Sequence, residues 1–69
     1  MKVFCTRLKE LRIAKGETLK DVANAIGISL MAYAHYEYGD SQPSLELVAA
    51  LCKHFEVSSD YLLGLCDFY

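Results

Sequence analysis

The stretch of residues 18–39 places two short helical patterns on either side of a single glycine. Thr18 and Asp21 form a capping signal, because side-chain oxygens at these positions accept hydrogen bonds from the unpaired N–H groups of a first helical turn. Gly27 ends the first pattern, since glycine readily adopts the left-handed conformation that follows many helices. Ser29 is a suitable cap for the second. The pattern predicts a helix, a tight turn and another helix.

Helical spacing also organises the rest of the chain, which we predict to be all-α. Residues 1–4 are predicted to form a short extended arm. The predicted helices cover about residues 5–15, 19–25, 30–38, 45–54 and 60–63. Pro43 prevents helix continuation through the loop of residues 39–43. Because 69 residues make one domain, we expect residues 1–69 to form a single unit of five helices.

Charge and hydrophobicity restrict the partners that this domain can bind. Seven Lys and Arg against nine Asp and Glu give a net charge of −2. A strongly basic domain would have indicated phosphate binding. A net charge of −2 does not exclude it, because the local electrostatic field matters more than the total charge. The hydrophobic fraction of 54% allows folding without disulfides or metal, and it leaves apolar surface for a partner.

The cysteines and other reactive side chains indicate no cofactor chemistry. Cys5, Cys52 and Cys66 are widely spaced and lack a CxxC pair, which argues against a disulfide framework and a zinc site. We expect free thiols in a reducing, cytoplasmic setting, with no metal and no cofactor. The longest apolar run, residues 47–52, is too short to cross a membrane. No catalytic motif is present, so we do not expect an enzyme.

The layout resembles the Cro/phage-repressor family of helix-turn-helix proteins, also called the Xre family, over about residues 6–64. Its motifs stand here as RLKELRIAKGETLKDVANAIGIS, YEYG and PSLELVAALCKHFEVSSDYLLG. The resemblance is specific because the LxxLR start, the small residue Ala23, the turn at Gly27 and the YLLG ending occur in register. It implies a five-helix, lambda-repressor-like domain with its helix-turn-helix at about residues 18–38, followed by an apolar tail of residues 65–69.

The resemblance also implies a function, that of a sequence-specific transcriptional regulator, repressor-like and dimeric, that binds double-stranded DNA. The third helix would enter the major groove and the second would lie across the backbone. The residues implied to meet base edges are Leu30, Met31, Ala32 and His35. We expect phosphates to be met by Thr18, Lys20, Gln42 and Ser44, with Arg7 and Lys15 as further cations, because helix N-termini and lysines attract phosphate.

Two structural roles follow from the same resemblance. Arg12 and Glu37 are implied to form an ion pair that sets the angle of the third helix without touching DNA. Apolar residues near the C-terminus are expected to serve a homodimer interface; they are Leu63, Leu65, Phe68 and Tyr69. The alternative is that this tail folds back over the core of its own domain.

The third helix carries unusual chemistry for a DNA-reading element. Readers of base edges are generally Arg, Lys, Gln or Asn, and none stands at an outward position here. Its outward residues are expected to be apolar, at Leu30, Met31, Ala32 and Ala34, beside His35, while Tyr33 and Tyr36 are buried. One interpretation is a reader of thymine-rich DNA, because thymine carries a methyl group. The other is a degenerate helix-turn-helix, an antirepressor or assembly subunit, that binds protein through this face.

Overall fold

The computed structural model describes residues 2–69, which form five α-helices. In chain order they are α1 (Lys2–Ala14), α2 (Leu19–Ile26), α3 (Leu30–Tyr38), α4 (Leu45–Phe55) and α5 (Ser59–Leu62). No strand occurs within this range, and the all-α prediction is confirmed. Helix α3 packs against α2 and α1, while α4 packs against α2 and α5. None of these helices has the length and apolar character needed to span a bilayer.

The predicted N-terminal arm is wrong within the described residues, because α1 already begins at Lys2. Phe4 is only 2% exposed and precedes Leu8 by one helical turn. Together with Leu11 it forms a continuous buried stripe at helical spacing. An extended arm would have left the Phe4 ring outside this stripe. Met1 lies outside the described residues. For the other four helices, the predicted first and last residues differ from the observed ones by at most one position.

Each of the five helices contributes one fully buried large side chain to a shared core. These side chains are Leu8, Val22, Tyr33, Leu51 and Leu62. Burying a residue of this kind contributes about 1.5–3 kcal/mol through removal of apolar surface from water. The core therefore ties α3 to the remaining helices, so the position of its outward face is fixed by packing.

Local capping places the turn between α2 and α3. The backbone of Gly27 is left-handed, with φ of 77°, and ends α2. The Ser29 hydroxyl then accepts a hydrogen bond from the backbone N–H of Ala32, 3.1 Å away, and begins α3. Ala23 is 1% exposed, and its small side chain suits a position where two helices approach closely. These features give the predicted helix, turn and helix.

The C-terminal tail folds back onto its own domain. The backbone N–H of Ser58 donates to the carbonyl of Tyr69 at 2.8 Å. The ring of Tyr69 meets Tyr61 edge to face, with centroids 4.9 Å apart. Arg7 lies over the Tyr61 ring and also binds the Asp67 carboxylate at 3.1 Å. The backbone of the tail therefore lies against its own domain, as the second of the two alternatives for the tail proposed.

Candidate nucleic-acid interface

Helix α3 presents a mixed apolar and imidazole surface on the side opposite the core. Leu30 and Met31, in its first turn, are 44% and 64% exposed. His35 lies one turn further along, and 43% of its side chain is accessible. Ala32 is half-buried beside them. We call Leu30, Met31, Ala32 and His35 the outward surface of α3.

Ala34 does not belong to the outward surface, and its predicted exposure is wrong. It is 7% exposed and precedes the buried Glu37 by three residues, so both lie on the inward side of the helix. Tyr33 is fully buried as expected. Tyr36 is only half-buried, although it packs against the core as a partly covered side chain.

The imidazole of His35 is paired with the carboxylate of Asp40, which follows the end of α3. His35 Nδ1 lies 3.3 Å from Asp40 Oδ2. The backbone N–H of Asp40 donates to the carbonyl of His35 at 2.9 Å. Sequence reasoning missed this contact. The sequence does contain a signal for it: His35 and Asp40 are five residues apart, on either side of Gly39. A left-handed glycine at a helix end turns the following residue back towards the last helical turn.

The ion pair implied by the resemblance is present and joins α1 to α3. Arg12 Nε lies 2.7 Å from Glu37 Oε2, and Arg12 Nη2 lies 3.2 Å from Oε1. A third donor, Arg12 Nη1, binds the carbonyl of Glu17 at 3.0 Å. The hydrogen bond to Glu37 raises the pKa of Arg12. The fork geometry fixes the orientation as well as the distance between the two helices.

Tyr33 places a phenol next to this pair, inside the core. Its hydroxyl has no hydrogen-bond partner within the described residues. Burial, followed by the neighbouring Glu37 carboxylate, raises the pKa of Tyr33 well above its usual range. The phenol therefore stays neutral, and its ring serves as the hydrophobic anchor of α3.

The four residues expected to meet phosphates are all exposed, yet Thr18 has one donor already in use. The exposed set is Thr18, Lys20, Gln42 and Ser44. The backbone N–H of Thr18 donates to Asp21 Oδ2 at 2.9 Å, and the Thr18 hydroxyl accepts from the backbone N–H of Asp21 at 3.1 Å. These bonds to Thr18 lower the pKa of Asp21. Only the hydroxyl proton of Thr18 is left to donate to a phosphate.

The two further cations suggested by the sequence are held elsewhere. Arg7 binds two groups of the tail, the carbonyl of Cys66 at 2.6 Å and the carboxylate of Asp67. Lys15 Nζ binds the carbonyl of His54 at 3.0 Å. Lys20, by contrast, has no ion-pair partner within residues 2–69. Positive charge close to the outward surface is therefore sparse.

A second polar cluster lies at the end of α4, where Lys15 also binds His54. His54 Nε2 lies 2.7 Å from Glu17 Oε1, and both side chains are largely covered. The sequence analysis missed this contact because it joins residues far apart in the chain. Within residues 2–69, no three His, Cys, Asp or Glu side chains are grouped as metal ligands.

Comparison with known sequences agrees with this architecture. The sequence model of the family described as helix-turn-helix matches residues 8–62. The chain belongs to the Xre/Cro-like helix-turn-helix family. The outward surface of α3 thus lies on the second helix of a helix-turn-helix motif.

Relatives of this helix-turn-helix chain are named as regulators. The Bacillus subtilis HTH-type transcriptional regulator YobD is 38% identical over 65 residues, which cover 94% of this chain and 58% of that protein. The regulator AnsR of the same organism is 45% identical over 58 residues, or 84% and 50% of the two chains. The chain spans about half the length of the curated relatives it matches.

A solved structure shows the same fold. The crystal structure of the clp gene regulator ClgR from C. glutamicum superposes with a TM-score of 0.79 at 29% identity, covering 90% of this chain and 80% of that one. The predicted five-helix, lambda-repressor-like class is therefore confirmed.

Proposed function

We propose that this chain is the DNA-binding domain of a cytoplasmic transcription regulator of the repressor type, without a catalytic role. The observation that carries the proposal is the outward surface of α3, which stands exposed on the second helix of the motif while Tyr33 and Glu37 anchor the inward side. The names of the relatives, which include a phage transcriptional repressor from Vibrio cholerae, support this function.

In the proposed complex, α3 enters the major groove of double-stranded DNA and α2 lies across the backbone. Leu30, Met31 and His35 meet base edges, with Ala32 beside them. The phosphates are met by the exposed side chains of Thr18, Lys20, Gln42 and Ser44. Because Lys20 is the charged member of this set, we expect counterion release to contribute less than in basic DNA-binding domains.

A homodimer would present two copies of α3 to successive turns of the duplex. The tail supports this proposal because its backbone is fixed while its apolar side chains stay exposed. The exposed fractions are 43% for Leu63, 74% for Leu65, 82% for Phe68 and 71% for Tyr69. Covering these side chains with a second copy would remove an apolar surface from water.

A protein-binding module is the second candidate function, and one observation favours it. Leu30 and Met31 lie on the same helix as Tyr38, which is 70% exposed, and Leu45, at the start of α4, is 88% exposed. A high share of exposed apolar side chains in one part of a protein is typical of interaction surfaces. An antirepressor or an assembly subunit would use them to bind a partner protein in place of DNA.

Salt dependence separates the two candidates. We would titrate labelled duplex from the region flanking the reading frame at about 50 and 200 mM salt, because affinity for DNA falls with the number of phosphates neutralised. We expect binding at low salt, a shallow loss at higher salt, and a smaller salt slope for Lys20→Ala than for the control Lys9→Ala. A folded protein that binds no duplex at low salt would contradict the proposal and favour the protein-binding module, whose apolar contacts hold or tighten in salt.

A further inference from the structure

The pairing of His35 with Asp40 determines which hydrogen-bonding partner His35 offers to a ligand. A carboxylate can only accept hydrogen bonds, so a bond across the 3.3 Å between Asp40 Oδ2 and His35 Nδ1 requires the proton on Nδ1. In the neutral imidazole, the other ring nitrogen is then an acceptor. Within residues 2–69, no side chain or backbone group binds this Nε2 atom.

The backbone fixes Asp40 in the place that this pairing needs. Gly39 ends α3 in a left-handed conformation with φ of 86°. The N–H groups of both Gly39 and Asp40 donate to the carbonyl of His35, at 3.0 and 2.9 Å. The backbone N–H of Asp40 is therefore bonded to the same residue whose ring its carboxylate contacts.

The geometry points to Asp40 as a positioning residue: it makes His35 accept a hydrogen bond from an exocyclic amino group of a base. This inference rests on the proposed function, in which α3 binds DNA. In the major groove these amino groups are N6 of adenine and N4 of cytosine. Guanine presents two acceptors there, N7 and O6, which cannot donate to Nε2. The surface thus disfavours guanine opposite His35, in contrast to the Arg and Lys side chains that commonly bind it.

The rest of the outward surface restricts the neighbouring bases by a different contact. Leu30, Met31 and Ala32 carry no hydrogen-bonding group in their side chains, and the first two are well exposed. Apolar side chains in the major groove contact the C5 methyl group of thymine. The combined preference is for thymine methyl groups next to an adenine or cytosine amino group.

The test selects duplexes from a random pool and compares three forms of the whole protein. We would use the wild type, Asp40→Ala and Asp60→Ala, all in the same buffer. Asp60 is an exposed aspartate on α5 and gives the same change of charge away from α3. We expect the Asp40 variant to accept guanine at one position that the wild type rejects, with discrimination reduced about 5- to 10-fold. The Asp60 variant should keep the wild-type preference.

Base analogues in the selected duplex identify the contacted groups. Purine in place of adenine removes the N6 amino group, and 2-pyrimidinone in place of cytosine removes the N4 amino group. One of these changes should weaken the wild type about 5- to 10-fold and leave His35→Ala unaffected. Uracil in place of thymine should weaken binding about fourfold for each methyl group lost.

The outcomes separate this inference from the proposed function. A folded protein that binds no duplex overturns both. Binding with guanine opposite His35 in the wild type, or with the same preference in the Asp40 and Asp60 variants, overturns the inference and leaves the proposed function intact. Binding that is insensitive to the loss of amino and methyl groups does the same. A change in base preference, rather than in stability, is the result that a merely structural role for Asp40 would not produce.

Discussion

Glu37 is a charged residue inside a small apolar core, and its environment explains why Arg12 is needed. The Glu37 side chain is 2% accessible, and the Arg12 side chain that covers it is 15% accessible. A buried carboxylate without a partner loses its hydration and gains nothing in return. The pair therefore stabilises the fold mainly by avoiding an isolated buried charge, and it fixes how α3 sits on α1.

At this scale we expect Arg12→Ala to lower the free energy of unfolding by about 3–5 kcal/mol, because it leaves Glu37 buried and unpaired. The exposed control Lys9→Ala should change it by less than about 0.5 kcal/mol. Urea titrations followed by circular dichroism measure both values.

A double variant checks the reason for that loss. Arg12→Met combined with Glu37→Met removes both charges and keeps apolar volume, so it should be more stable than Arg12→Ala. An Arg12→Ala variant as stable as Lys9→Ala would show that the pair does not hold α3.

Helix α2 depends on its capping box, in which Thr18 and Asp21 exchange hydrogen bonds. Because these bonds lower the pKa of Asp21 in the folded protein, its stabilising effect is fully present above the ordinary carboxyl pKa. It is lost as the pH falls through the lowered folded pKa. The capping box therefore makes the start of the helix-turn-helix sensitive to acid.

The corresponding prediction concerns Asp21→Asn, which keeps the shape and removes the charge. Its Tm should lie below that of the wild type near pH 7, and the difference should shrink as the pH falls below the model-peptide value of 3.8. Thermal unfolding across this pH range measures the difference, with Asp60→Asn as the control. A difference that stays constant or grows towards acid pH would refute the assignment.

Helix ends and turns that depend on neighbouring residues could be predicted from the sequence. Contacts between residues far apart in the chain could not. The start of α3 was predicted because glycine, at Gly27, favours a left-handed turn and serine, at Ser29, caps a helix. Ala34 was placed on the wrong side because a small apolar residue suits either side of a helix. The bonds of Arg7 to the tail join residues more than fifty positions apart, and no local pattern indicates them.

At the scale of the whole molecule, a fixed scaffold exposes apolar side chains on α3 and on the tail, and also at Val3, Ile13 and Leu45. The tail backbone is tied to the domain through Ser58 and Arg7, while its apolar side chains stay exposed. A backbone that is already ordered loses little conformational freedom on association. This arrangement suits a dimer interface on the tail that leaves α3 free.

We therefore expect the combined change Leu65→Ala and Phe68→Ala to shift the protein from dimer towards monomer while leaving its Tm nearly unchanged. Sedimentation equilibrium measures the mass. The control is Leu45→Ala, which removes an even more exposed leucine from the start of α4. A dimer that persists in the double variant, or after removal of residues 65–69, would exclude the tail as the interface.

The central claim is that the outward surface of α3 enters a DNA groove, and a charge placed on that surface tests it most directly. Met31 and Ile13 are exposed to similar extents, 64% and 58%, but Ile13 lies on α1. We predict that Met31→Glu weakens duplex binding at low salt by at least about tenfold, because it brings a carboxylate towards the phosphates, while Ile13→Glu leaves affinity unchanged. Equal affinities for the two folded variants would contradict the claim.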